Sequence, residues 1–124
     1  MRVFLALITT LFFLTATAQK KTALQKRIDD LVKGNAVVLF MKGTAQFPQC
    51  GFSGRAIQVL KACGVTDLKT FNVLEDEGVR QGIKDYAQWP TIPQLYVNGE
   101  FVGGSDIMTE MYQSGELQQV LGKS

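Results

Sequence analysis

Cys50 is the residue with the most chemistry to offer. It stands in Pro48-Gln49-Cys50-Gly51-Phe52-Ser53, where a loop gives way to a helical pattern. A helix N-terminus presents unpaired backbone N–H groups and the positive end of the dipole, and both stabilise a thiolate. Lys42 closes the preceding apolar run and adds positive charge nearby. The chain has no histidine. A Cys-His dyad, a Ser-His-Asp triad and a His-based zinc site are therefore closed to it. Cys50 reads as a reactive thiolate, activated by a helix terminus and by Lys42.

A dithiol redox centre would carry Cys-x-x-Cys. Here Ser53 holds the second position, and the other cysteine, Cys63, reads as a small buried apolar residue. If both cysteines lie on one helix, 13 residues separate them, or ~20 Å of helix axis. A disulfide needs Cα atoms within about 7 Å. Cys50 is left to react with a thiol from outside the chain, or to bind something.

Two further constellations matter. In Trp89-Pro90-Thr91-Ile92-Pro93, Pro93 sits directly before a strand and removes a ladder N–H. A cis Ile92–Pro93 bond would expose the Ile92 backbone to a ligand, and a plain turn before a strand fits the pattern equally well. Gly103-Gly104-Ser105-Asp106 leads into a helix whose amides can bind a carboxylate. A simple N-cap at Asp106 would look the same.

The elements that must position these residues follow from pattern. Thr22 caps a predicted helix through Lys33, with Leu24, Ile28, Leu31 and Val32 on one face and Gly34 at the stop. Ala36 to Met41 is a continuous apolar run suited to a central strand buried on both faces. A second helix runs from Gly51 to Cys63, with Ala56, Val59, Leu60 and Cys63 inward, and Lys69 to Val73 forms a second strand. Strand, helix, strand makes these two strands parallel. A third helix runs from Glu75 to Ala87. Asn98-Gly99 then joins two short strands, Pro93 to Val97 and Glu100 to Gly103, as a hairpin. A last helix begins near Asp106, breaks at Gly115 and resumes to Leu121. The predicted fold is α/β: a four-stranded mixed sheet flanked by helices.

The 124 residues allow one domain. At 46% hydrophobic and 19% charged the chain can bury an ordinary core. A net charge of +2 with no basic stripe excludes a nucleic-acid footprint. Residues 1–18 form a signal-like segment: Met1-Arg2, an apolar run from Val3 to Leu14, then Ala16-Thr17-Ala18. That run is too short to span a membrane comfortably, so residues 19–124 form the folded domain and no membrane role is expected.

These motifs together resemble the monothiol glutaredoxins of the CGFS type. The resemblance rests on Lys42-Gly43-Thr44, Pro48 to Ser53, Trp89 to Leu95 and Gly99 to Gly104, in this order and spacing. It implies a thioredoxin-like fold with Pro93 cis and a glutathione site. In that site Lys42 and Arg80 would pair with the glycine-end carboxylate. Ile92 would offer its backbone to the cysteinyl part, and Ser105 and Asp106 would hold the γ-glutamyl end. The resemblance also implies a [2Fe–2S] cluster in a homodimer, with Cys50 as metal ligand. Such a cluster usually takes four thiolates. Two chains give two, and two bound glutathiones give the rest, with Phe52 and Trp89 as shields. Where many members have Gly-Gly-Cys-Asp, this chain has Ser105, which keeps the backbone amide but cannot form a disulfide with Cys50.

Three functions follow for comparison. The first is cluster binding and transfer in iron–sulfur assembly, with BolA-like proteins and cluster recipients as partners. The second is a weak glutathione-dependent oxidoreductase acting on protein–glutathione mixed disulfides. The third is a cluster-free binding module. The family works in reducing compartments, so the expected location is cytoplasmic. Residues 1–18 supply the alternative, an exported or organellar protein.

Overall fold

The computed structural model describes residues 21–122. The signal-like segment 1–18 lies outside the described residues. The chain order is α1 (Ala23–Lys33), β1 (Val37–Met41), α2 (Gly51–Ala62), β2 (Leu68–Asn72), α3 (Glu77–Ala87), β3 (Gln94–Val97), β4 (Glu100–Gly103), α4 (Ser105–Ser114) and α5 (Glu116–Val120). The sheet order is β2-β1-β3-β4. β1 pairs parallel with β2 and antiparallel with β3, and β3 pairs antiparallel with β4. The predicted mixed sheet of four strands is the observed one.

β1 is buried along its whole length, as its unbroken apolar run predicts. Its alternation splits the core in two. Val37, Leu39 and Met41 pack against α2, α4 and α5 on one face. Val38 and Phe40 pack against α1 and α3 on the other, together with Tyr96 of β3. The Asn98-Gly99 turn has positive φ at both residues, as a two-residue hairpin of the favoured twist requires.

Three boundaries differ from the sequence reading. β2 ends at Asn72, and Val73–Glu75 is a 3₁₀ turn. The Asn72 side chain accepts from Leu74 N and so turns the chain out of the ladder. α3 starts at Glu77, because the Asp76 carboxylate caps it by accepting from Val79 N. The last helix starts at Ser105 with Gly104 as N-cap and no side-chain cap bond. Asp106 lies inside the first turn and is not the cap. By contrast Thr22 caps α1 as predicted, in a reciprocal box with Gln25.

The loop from Lys42 to Gln49 carries Cys50 back to the end of β1. Gln49 N donates to Lys42 O at 2.9 Å, and Gly43 N donates to Asn72 Oδ1 at 2.9 Å. Gly43 has φ 91°, and a Cβ there would lie 2.5 Å from Phe47 O and 2.6 Å from Gln49 N. Both are backbone atoms with nowhere to go. Gly43→Ala is expected to cost about 2–4 kcal/mol through a strained φ and a forced loop shift. Urea unfolding of the variant checks this, and an unchanged midpoint would refute the close packing.

Candidate functional site

Three segments converge at one end of the sheet. The antiparallel register pairs Phe40 with Gln94, so the chain leaving β1 runs beside the chain entering β3. The pairing of Leu95 with Gly103 brings the start of α4 to the same end. A cleft of about 370 Å³ opens there. Lys42, Cys50, Phe52, Lys84, Ile92, Ser105 and Asp106 all line it, as do Trp89, Thr91 and Pro93. The Ile92–Pro93 bond is cis.

Cys50 is the N-cap residue of α2, with extended backbone and no formal side-chain cap bond from the neutral thiol. Burial pushes the thiol pKa up. The backbone N–H groups of Ser53 and Phe52, the Ser53 hydroxyl and the Lys42 charge outweigh it, and the thiol titrates below its ordinary value. Ser53 is fully buried, and its Oγ accepts from Lys42 N at 3.1 Å. That bond ties the end of β1 to the start of α2 and leaves the hydroxyl proton for the sulfur. Cys63 follows the same helix as its C-cap. Burial alone pushes its thiol up. Both cysteines are free.

The cleft holds polar groups that nothing among the described residues satisfies. Lys42, Lys84 and Asp106 form no ion pair among the described residues. Ser105 Oγ and Trp89 Nε1 are buried without hydrogen-bond partners. The N–H and C=O of Ile92 pair with nothing among the described residues. Unpaired cations, an uncapped helix N-terminus and a free stretch of extended backbone suit a small peptide with carboxylates.

The structure brings Cys50, Lys42, Ile92, Ser105 and Asp106 into one cleft. Arg80 is not among the lining residues. Its guanidinium sits 3.8 Å from Glu77, one turn back on α3. Lys84, one turn further along the same helix, supplies the second cation of the cleft. The sequence reading did not single out Lys84. Its signal was the four-residue spacing from Arg80, which puts both on one helix face. The exposed Phe52, 60% accessible, stands at the cleft rim, and Phe47, 74% accessible, stands nearby in the loop before Cys50.

A lone activated thiol at a helix N-terminus, facing a cis-proline segment across a mixed sheet, defines a thioredoxin-like protein with a single-cysteine centre. The glutaredoxin family pattern matches residues 37–102. A monothiol glutaredoxin, ycf64-like, of Synechocystis is 61% identical over 95 residues, which are 77% of this chain and 88% of that one. The mitochondrial monothiol glutaredoxin-5 of Saccharomyces cerevisiae is 53% identical over 102 residues, covering 81% and 68%. Among solved structures, reduced poplar apo GrxS14 superposes with a TM-score of 0.71 at 52% identity, covering 81% of this chain and 91% of that one. The chain belongs to the glutaredoxin family and groups with its monothiol members.

Two outcomes follow for the thiols. One equivalent of iodoacetamide reacts with the native protein, at Cys50, and a second only after unfolding. In Ser53→Ala the pH midpoint of Cys50 alkylation moves up, because a donor to the thiolate is lost. A pH–rate profile followed by mass spectrometry checks both. An unmoved midpoint would remove Ser53 from the activation of Cys50.

Proposed function

We propose that the chain binds glutathione beside Cys50 and, as a homodimer, carries a [2Fe–2S] cluster and hands it to recipient proteins. One observation supports this above the rest. Cys50 has a lowered thiol pKa and no partner thiol within reach in its own chain, beside a cleft with unpaired charges and donors. Glutaredoxins use glutathione, and the cleft suits it. Lys42 and Lys84 would take the glycine carboxylate, with Arg80 one helical turn away. The free Ile92 backbone would pair with the cysteinyl unit, and Ser105 and Asp106 would receive the γ-glutamyl end.

Among the described residues no three His, Cys, Asp or Glu side chains gather as a metal-holding group. A cluster held at Cys50 must therefore be completed from outside the chain. Two Cys50 thiolates and two glutathione thiolates supply the usual four. Phe52 at the rim, with Trp89 behind it, would screen the sulfurs from water. BolA-like proteins and cluster recipients remain the proposed partners. No helix among the described residues is long and apolar enough to cross a membrane. The yeast relative is named mitochondrial and a rice relative, 53% identical over 97 residues, chloroplastic. These names favour the organellar alternative over the cytoplasmic expectation, in a compartment where thiols stay reduced.

The lowered thiol pKa also favours a second reading. A Cys50 thiolate can attack the glutathionyl sulfur of a mixed disulfide and release the protein thiolate. A second glutathione thiolate then attacks the glutathionyl sulfur on Cys50, giving oxidised glutathione and free Cys50. That route needs no resolving cysteine.

Anaerobic reconstitution with iron, sulfide and glutathione is expected to give a coloured dimer, and omission of glutathione or Cys50→Ser to give none. A coloured dimer from Cys50→Ser would sink the proposal. Lys84→Ala is expected to weaken glutathione binding about tenfold, the loss of one charge-assisted contact. Brisk turnover of a glutathionylated substrate, without cluster assembly, would put the second reading first.

A further inference from the structure

Gln94 is a fully buried polar residue inside an apolar layer. Both its amide nitrogen and its oxygen are hydrogen-bonded. Nε2 donates to Trp89 O at 3.0 Å and to Thr91 O at 3.2 Å. Oε1 accepts from the Tyr96 hydroxyl at 2.9 Å. Tyr96 is itself buried and edge-on to Phe40, with ring centroids 5.7 Å apart. Gln94 and Tyr96 are two apart on β3, so both point to the same face of the sheet.

The consequence lies in the next peptide unit. The Thr91–Ile92 bond is trans, since the only cis bond among the described residues is Ile92–Pro93. In a planar trans peptide the C=O and the following N–H point in opposite directions. Gln94 draws the Thr91 carbonyl inward, under the sheet face it shares with Tyr96. The Ile92 N–H must then point the other way, and Ile92 lines the cleft. The Trp89 carbonyl is held by the same amide, and the residue after it, Pro90, has no N–H to aim.

We infer that Gln94, oriented by Tyr96, is a positioning residue that aims the Ile92 N–H at the peptide backbone of the ligand. The inference rests on the reading of the cleft as a glutathione site. Gln94 does not line the cleft. It acts on recognition and leaves the activation of the thiol to α2 and Lys42.

The test compares two disulfides of Cys50. One is with glutathione, which has a peptide backbone, and one is with 2-mercaptoethanol, which has none. Mass spectrometry of the exchange equilibrium between them gives the preference of the cleft for glutathione. In Gln94→Met, which keeps length and loses both donors, that preference is expected to fall about tenfold, the loss of one well-placed hydrogen bond. The pH midpoint of Cys50 alkylation is expected to stay where it is. In Tyr96→Phe the preference is expected to fall about threefold, and this variant decides the matter if Gln94→Met does not fold. The Ile92 amide resonance, which shifts when glutathione joins Cys50 in the wild type, should shift less in both. A wild type that shows no preference for glutathione would overturn the glutathione reading, and this inference with it. A wild-type preference retained in the folded variants would overturn the inference alone, since a merely structural role lowers stability and leaves the preference intact.

Discussion

The pairing of Phe40 with Gln94 in the antiparallel β1–β3 ladder constrains everything else at the site. It sets the end of β1 against the start of β3. The loop that returns Cys50 to β1 therefore faces the Trp89–Pro93 segment. The same register puts Phe40, Val38 and Tyr96 on the α1–α3 face with Gln94. Leu39, Leu95 and Val97 fall on the other face, against α2 and α4. A slip of one residue would exchange the faces. Gln94 would then leave the Trp89 and Thr91 carbonyls that receive its amide, and the cleft would lose the segment that lines one wall.

Much of this arrangement was legible in the sequence. The unbroken run ending at Met41 marked a central strand, and Asn98-Gly99 marked the hairpin. Both signals are local, and both carry a single physical reason. Cys50 was legible because a cysteine just before a helical pattern, in a chain without histidine, leaves few other activators. What escaped depends on side chains meeting across the fold. Asn72 turns the chain out of β2 by accepting from Leu74 N, and it also receives Gly43 N from the loop near Cys50. Asp76 caps α3 and pairs with Arg27 of α1. Each moved a predicted boundary by one or two residues. Lys84 shares a helix face with Arg80 through their four-residue spacing, but which residue of that face meets the cleft depends on how α3 packs. Ser53 read as the residue where a second thiol would stand. The structure shows a buried hydroxyl that links β1 to α2.

The two cysteines show how far position on one helix governs reactivity. Cys50 and Cys63 bracket α2 at its two ends. Both are penalised by burial as thiolates. At the N-terminal end, backbone N–H groups, a hydroxyl and a lysine reverse that penalty. At the C-terminal end the dipole has the opposite sign and no donor faces the sulfur, so burial alone decides and the thiol is held protonated. One helix thus makes one nucleophile and one inert core residue from the same side chain.

Reactivity and recognition also rest on different parts of the molecule. The thiolate is made by the start of α2, by Ser53 and by Lys42. In the proposed function the partner that reacts with it would be chosen by the segment before β3, by α3 through Lys84, and by the uncapped start of α4. Lys42 and Phe52 serve both, since each lowers the thiol pKa and lines the cleft. Substitutions in the second set can change which thiol approaches without changing how readily Cys50 ionises. A chain whose other thiol, Cys63, is buried at the far end of α2 would depend on that separation. Its sulfur must keep its lowered pKa, and the choice of ligand would fall to groups that leave that pKa unchanged. The carbonyls held by Gln94 meet that condition. They are engaged by its amide, and the Ile92 N–H would present only a donor to the incoming chain.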